Sequence, residues 1–586
     1  MPSAAPAVAS ASPLKATLLT SADVDARLRA EWDKAGVTPT PPASDATWLR
    51  RAWLDALGTI PPPELVQRFL ADNSPGRRDR AIDEILASPL WADHWTAYWD
   101  EVWMGRDARR PDVDPGAFRA WLHGAFARNA PWNELVTELL TATGRNSEGG
   151  LKADARVNDG HRPTPPDVHG AVNWTLKYQD DPQDMAGTAS RTLLGVQLQC
   201  AQCHDHKTEK WTQGDFQRFA AAFVRTRLEP VDPKDQRAME MREVKRVDVS
   251  DLPRAAPRFA KKMDDLGSII QAKPTALDGT DLGGGNLVRE ALARWMTSPT
   301  NPWFARAFVN RMWGHFLGRG FADPVDDMRP SNPPSAPALL DAIAADFIAS
   351  GFDVKHVTRV ILGSAAYGES AAPVPDAVAK ADPATKLWER FRVTPLGPEE
   401  LLDALIAATG LDAVVRETGR LDLVQVRFRV KERYGFLFDV DEESDERDYD
   451  GTIAQGLALL NGSVVAAGAS LLPGSALGAI LALPGGDPSK IEALYLRTLS
   501  RLPTDAETAR WTAFLRDGED AAPPARPAPP PKRAGDAGAP AAPPQQPDPL
   551  RGLEHRAGNQ RADGRARAYE DMLWTLLNSS EFVLNH

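Results

Sequence analysis

The chain has 586 residues, 42% of them hydrophobic, and a net charge of −12. This composition excludes global disorder and a small disulfide-stapled scaffold, and it leaves room for about three to five domains or fewer large ones. With 80 acidic against 68 basic side chains, the chain lacks the basic footprint of a nucleic-acid binder.

The N-terminus, MPSAAPAVASASPLK, has no basic run before Lys15 and no apolar core, so no secretory signal is visible in it. Helical periodicity then predicts helices over roughly 22–34, 45–57, 63–72, 77–88, 91–104, 115–128 and 132–142. Asp23 and Asp45 are expected to cap the first two, and Pro62 and Pro63 suit the start of the third. Another helix is predicted from Asp184 to Cys200, because Met185, Ala189, Leu193 and Val196 recur on one face. Strand patterns are few: VQVRFRV at 424–430 alternates, and VKRVDV at 244–249 does so less regularly.

Residues 229–285 lose the helical period and read as a connector, and helical pattern returns from Asn286 to the end. Gly456–Gly486 carries no charge, but Asn461 and the Pro473-Gly474 break favour two buried helices over a transmembrane segment. At 521–550, Ala and Pro make up 20 of 30 residues, a disordered, partly extended insert by composition. The expected fold is mainly α. Two packed multi-helix domains, 20–228 and 286–586, carry little β structure.

The two cysteines, Cys200 and Cys203, are followed directly by His204. C-x-x-C-H is the attachment pattern of c-type haem. Two thiols add to the vinyl groups on one porphyrin edge, and the next imidazole falls beneath the iron. Other accounts of the residues stand beside this one. A C-x-x-C disulfide or redox dithiol needs no histidine. A zinc set of Cys200, Cys203, His204 and His206 is tighter than ordinary zinc spacing. Past the motif, Thr212 to Asp215 has the form of a capping box. It would launch a helix whose Phe216, Phe219, Ala220 and Phe223 line a haem. Met185 and His169 are the candidates for a sixth iron ligand, and core and surface roles compete for them.

The segment RTLLGVQLQCAQCHDHKTEKWTQGDFQRFAAAF (191–223) resembles the planctomycete cytochrome-c-like domain of the PSCyt second type, a domain of unknown function. Residues 301–370, together with GTIAQGLALLNG (451–462), ALYLRTLSRLPTDAE (493–507) and LWTLLNSSEFVLNH (573–586), resemble the planctomycete-specific PSD type-one domain. The resemblance implies a secreted or periplasmic protein bearing one covalent haem c, of unknown reaction. Relatives often have His-Pro after the motif, where this chain has His206-Lys207.

Three further groups stand out. Trp91, Trp95, Trp99 and Trp103 form a stripe at helical spacing. A helix–helix core accounts for it, with a haem-pocket wall or a sugar-stacking face as the alternative. Arg311 and His315 share a helical face, and with Arg319, Asp323, Asp326 and Asp327 they offer a second polar site or a set of structural ion pairs. The run 439–450 holds eight carboxylates. Calcium is one reading of it and a solvated acidic loop the other.

The leading expectation is an extracytoplasmic haem protein that transfers electrons, with a redox partner protein, or acts as a haem-dependent oxidoreductase. Only the tryptophans and the setting of the family point to carbohydrate as substrate. The competing expectations are a haem-free binding or scaffold protein with a Cys200–Cys203 disulfide, and a metal or carboxylate hydrolase acting on carbohydrate.

Overall fold

Local sequence signals start and stop most of the helices. In α1 (Ser21–Ala35) the Thr20 hydroxyl accepts from the Asp23 amide, while the Asp23 carboxylate binds back to the Thr20 amide. Asp23 is thus the third residue of a capping box rather than the cap expected of it. In α2 (Asp45–Leu57) the Ser44 hydroxyl takes the cap one residue ahead of Asp45. Pro63 opens α3 (Pro63–Ala71), where a missing N–H costs nothing. α4 (Arg77–Ala87), α5 (Leu90–Met104), α6 (Pro115–Ala127) and α7 (Trp132–Thr141) follow the sequence periodicity closely.

The structure, a computed structural model, describes residues 18–105, 110, 112–151, 165–178, 181–231, 243–256, 263–283, 287–373, 380, 382, 384–418, 465, 468–519 and 564–586. The strand expected at 424–430, the acidic run 439–450 and the Ala/Pro segment 521–550 lie outside the described residues.

After α8 (Val172–Lys177) comes α9 (Pro182–Leu194), shorter than expected. Gly195 takes a left-handed conformation, φ 65°, and its amide closes on the Ser190 and Arg191 carbonyls. Only glycine adopts this stop without strain, so the helix predicted to run to Cys200 ends six residues earlier. Cys200 sits instead in a 3₁₀ turn, Leu198–Ala201. The capping box of Thr212 and Asp215 forms as expected and launches α10 (Gln213–Ala220).

That helix ends at Ala220, before Phe223. The chain then turns into a strand, β3 (Thr226–Pro230), which joins β1 (Gly144–Arg145) and β5 (Val247–Asp251) in an antiparallel sheet of order β1-β5-β3, with Leu228 opposite Val249. β2 (Gly150–Leu151) pairs with β4 (Glu243–Val244). The region read as a connector therefore holds strand structure, and α11 (Met263–Gln271) as well.

The second region begins with α12 (Val288–Met296), α13 (Phe304–Leu317), α14 (Pro337–Ala349), α15 (Val354–Leu362) and α16 (Ala365–Gly368). It continues through β6 (Thr394–Pro395), α17 (Pro398–Thr409), α18 (Leu411–Thr418), α19 (Ala476–Leu481), α20 (Asp487–Leu499), α21 (Asp505–Glu519), α22 (Gly564–Leu577) and α23 (Ser580–Val583), and ends with β7 (Leu584–Asn585) paired to β6. The protein is mainly helical, with little β structure. Among the described residues no helix is long and apolar enough to cross a membrane.

The buried core is continuous across both regions. One cluster joins Val24, Trp48 and Trp95 from the first with Phe308, Trp313 and Phe347 from the second. A second gathers α17 and α19–α23 and takes in Leu54 from α2. Trp91, Trp95, Trp99 and Trp103 lie at the centre of the first cluster, each no more than 1% exposed. The Trp99 and Trp132 ring centroids are 4.4 Å apart, and those of Trp132 and Phe308 are 4.6 Å apart. The stripe is core, so these four rings offer no face for a sugar to stack on.

Buried charge also ties the regions together. On α2, Arg50 donates to the Thr498 and Phe582 carbonyls, both at 2.9 Å. Arg51 donates to those of Tyr367 and Glu369. Asp55 accepts from the Tyr367 hydroxyl at 2.8 Å and from Asn585 at 2.9 Å. Glu389 is completely buried, with the Asp382 carboxylate as its neighbour. Burial pushes its pKa up to about 7, with Asp382 adding to the rise and Arg390 opposing it.

Candidate functional site

The left-handed stop at Gly195 swings the chain out of α9 so that the motif lies on the surface. Cys200, Cys203 and His204 are all exposed, and the two thiols are free. The segment after the 3₁₀ turn is hung from the first residue of α10. Gln213 donates its side-chain amide to the Gln202 and Cys203 carbonyls, both at 3.1 Å, and its backbone N–H to the Asp205 carboxylate at 2.8 Å. Two of these bonds hold the backbone just before His204, and the third holds the Asp205 side chain just after it.

His204 Nδ1 lies 2.8 Å from the Asp205 carbonyl oxygen. A carbonyl can only accept, so Nδ1 carries the proton and the Nε2 lone pair is free. That is the tautomer a histidine adopts to bind a metal through Nε2, with the other nitrogen held by a carbonyl. His206 has the opposite arrangement. Its Nδ1 accepts from the Thr208 and Glu209 amides at 3.2 and 3.1 Å, so in the neutral ring the proton sits on Nε2. The two histidines are not equivalent, and the Cys₂His₂ zinc set read from the sequence would require both to present a lone pair. Among the described residues no group of three or more His, Cys, Asp or Glu is placed to hold a metal ion.

The phenyl rings expected to line a haem are used elsewhere. Phe216 and Phe219 are fully buried and Phe223 is 2% exposed, all within the main core cluster. An apolar face that short is consumed in packing α10 onto the body of the protein. The two sixth-ligand candidates differ in setting. Met185 is 2% exposed in the core face of α9. His169 Nε2 lies 3.4 Å from a Glu138 carboxylate oxygen on α7.

The second polar group separates into two parts. Arg311 is buried and pairs with Asp326, which also receives Arg191 from α9 at 3.6 Å. Arg329 reaches Asp327 at 3.1 Å, and Arg319 reaches Asp323 at 3.1 Å. Burial pushes the Asp327 carboxyl above the usual carboxylate range, against the pull of the Arg329 guanidinium. His315, one helical turn beyond Arg311, packs like it against α5, Arg311 over the Trp99 ring and His315 beside Trp95, but takes a different polar partner. Its Nε2 is 2.7 Å from the Asp55 carbonyl, and its ring packs 5.0 Å from those of Trp95 and Tyr98. These carboxylates serve as ion-pair partners.

Sequence reasoning treated the motif and the Asp323–Asp327 segment as separate sites, but the fold brings them together. The Met328 amide donates to the Gly195 carbonyl at 2.9 Å, and Ser331 Oγ donates to a Glu209 carboxylate oxygen at 2.6 Å. A loop of the second region therefore lies against the motif loop of the first. Glu209 and Ser331 were not singled out in the sequence. They are 122 positions apart, and neither residue type signals the pairing.

This geometry defines a helical protein whose N-terminal region presents an exposed C-x-x-C-H turn, braced by a loop of its C-terminal region. Residues 23–228 match the family PSCyt2, described as a protein of unknown function (DUF1549), and residues 288–515 match PSD1, described as a protein of unknown function (DUF1553). The chain thus carries a PSCyt2 domain followed by a PSD1 domain. No curated protein and no solved structure matches it.

Proposed function

We propose that Cys200, Cys203 and His204 hold one covalent haem c, and that the protein works outside the cytoplasm in electron transfer or as a haem-dependent oxidoreductase. The observation that carries this reading is the state of His204. Its Nδ1–H is held by a backbone carbonyl and its Nε2 is open, between two exposed thiols and a backbone pinned by Gln213. The donor set fits the group: two thiols for thioether bonds and one imidazole nitrogen for iron. When bound, such a group supplies a one-electron couple. The chain's own part is to present these three atoms on one turn and to keep His204 in a single tautomer.

One observation favours the haem-free alternative, a binding or scaffold protein. Phe216 and Phe219 are spent in the core, so α10 offers no apolar lining, and an attached porphyrin would rest on a polar, solvent-facing surface. Absorbance separates the two readings. Protein produced with haem-attachment machinery should keep a Soret band after denaturation and acid extraction, and the Cys200→Ser, Cys203→Ser double variant should lose it. Colourless wild-type protein from that host refutes the haem reading.

A further inference from the structure

The motif loop is gripped at both ends by one segment of the PSD1 region. At its start, the Gly195 carbonyl accepts from the Met328 amide. At its far end, His206 organises a tight turn. Its amide donates to the Trp211 carbonyl at 2.8 Å, and its Nδ1 takes the Thr208 and Glu209 amides. Glu209, within that turn, accepts from Ser331. The buried Asp327 carboxyl lies within electrostatic reach of Glu209 and His206. A turn closed on an imidazole acceptor and tied to a neighbouring loop has few ways to relax, and His204 is only two residues upstream.

We propose that His206, Glu209 and Ser331 form a latch through which the PSD1 region positions the motif loop and holds His204 with its Nε2 open. His206 is a positioning residue, acting through the two amides it accepts, and Ser331 supplies the grip from the second region. The inference rests on the haem reading of the same site, but it concerns the chain's own histidines and is measurable without haem.

The test uses full-length protein with ¹⁵N-labelled histidine, where nitrogen shifts and two-bond couplings report each ring's tautomer. His204 and His206 are assigned by loss of signal in His204→Gln and His206→Asn. In the haem-free wild type, His204 should be the Nδ1–H tautomer and His206 the Nε2–H tautomer. Ser331→Ala should convert the His204 signal to a mixture of tautomers. It should also lower haem attached per chain threefold or more in the maturation host. His206→Leu should do the same, whereas His206→Asn, whose side-chain oxygen can replace the Nδ1 acceptor, should restore both readouts. Unchanged His204 signals and unchanged attachment in both Ser331→Ala and His206→Leu overturn the latch. Should His206→Leu not fold, Ser331→Ala at its exposed position decides the matter alone. Wild type that binds no haem but shows the expected tautomers, lost in Ser331→Ala, refutes the haem reading and leaves the latch standing.

Discussion

Glu389 is the carboxyl whose burial has the most direct consequence for stability. In the unfolded chain its pKa is near the ordinary 4.5, and in the folded protein burial carries it to about 7. The folded state therefore holds a proton that the unfolded state has released between those two values. Its contribution is complete below about pH 4.5, declines as pH rises toward 7, and stays lost above that. At ~1.4 kcal/mol for each pH unit of difference, the loss amounts to about 3 kcal/mol. Glu389→Gln keeps nearly the same shape and is neutral in both states. The variant should match wild type near pH 4.5 and exceed it at pH 8 by up to about 3 kcal/mol. Urea unfolding at pH 5, 6, 7 and 8, read by tryptophan fluorescence, measures this as a widening gap between the two midpoints. Glu369, raised to about 7 mainly by burial, adds a parallel decline that both proteins share. A gap that stays constant with pH, or a variant less stable than wild type at pH 8, refutes the claim that a protonated carboxyl sits at this position.

Other substitutions probe the site and its supports. Gly195→Ala places a methyl 2.7 Å from Met328 Cε on a backbone at φ +65°; a loss of roughly 1–2 kcal/mol in urea unfolding is expected, together with reduced haem attachment. Arg311→Met leaves Asp326, among the described ion pairs, with the longer Arg191 contact; it should cost roughly 3 kcal/mol, and Arg311→Met with Asp326→Leu should recover most of that. Phe216→Ala should destabilise by roughly 3–5 kcal/mol and leave the Soret position of folded protein unchanged, whereas a shifted band with little loss of stability would mean that this ring lines the porphyrin after all.

How far the sequence could be read depended on the range of the interaction. Helix starts depend on neighbours three or four residues away, so the Thr212–Asp215 box and the Pro63 start were legible, and the caps at Thr20 and Ser44 were missed by only one to three positions. Gly195 was visible as a glycine, but the apolar period of Met185, Ala189, Leu193 and Val196 runs past it and hid the stop. The face of Phe216 and Phe219 was correctly read as apolar. Periodicity does not say whether such a face meets a cofactor or another helix, and here it meets the core. The opposed tautomers of His204 and His206 follow from backbone hydrogen bonds that close only in the folded loop, and the Glu209–Ser331 contact spans the two domains. The motif was therefore legible as a run of residues, and the contacts that brace its loop were not.

The two guanidinium groups of α2 bear on how this protein can be handled. Arg50 and Arg51 spend their donors on carbonyls that the chain supplies more than 300 residues later. A fragment ending after the PSCyt2 match would lose the Thr498, Phe582, Tyr367 and Glu369 carbonyls that these two cations hold, and the complementary fragment would lose the donors that meet those oxygens. Severed at the boundary that the family matches suggest, neither piece should behave as an independent folding unit; co-expressed halves are expected to find each other through α2 before either becomes soluble.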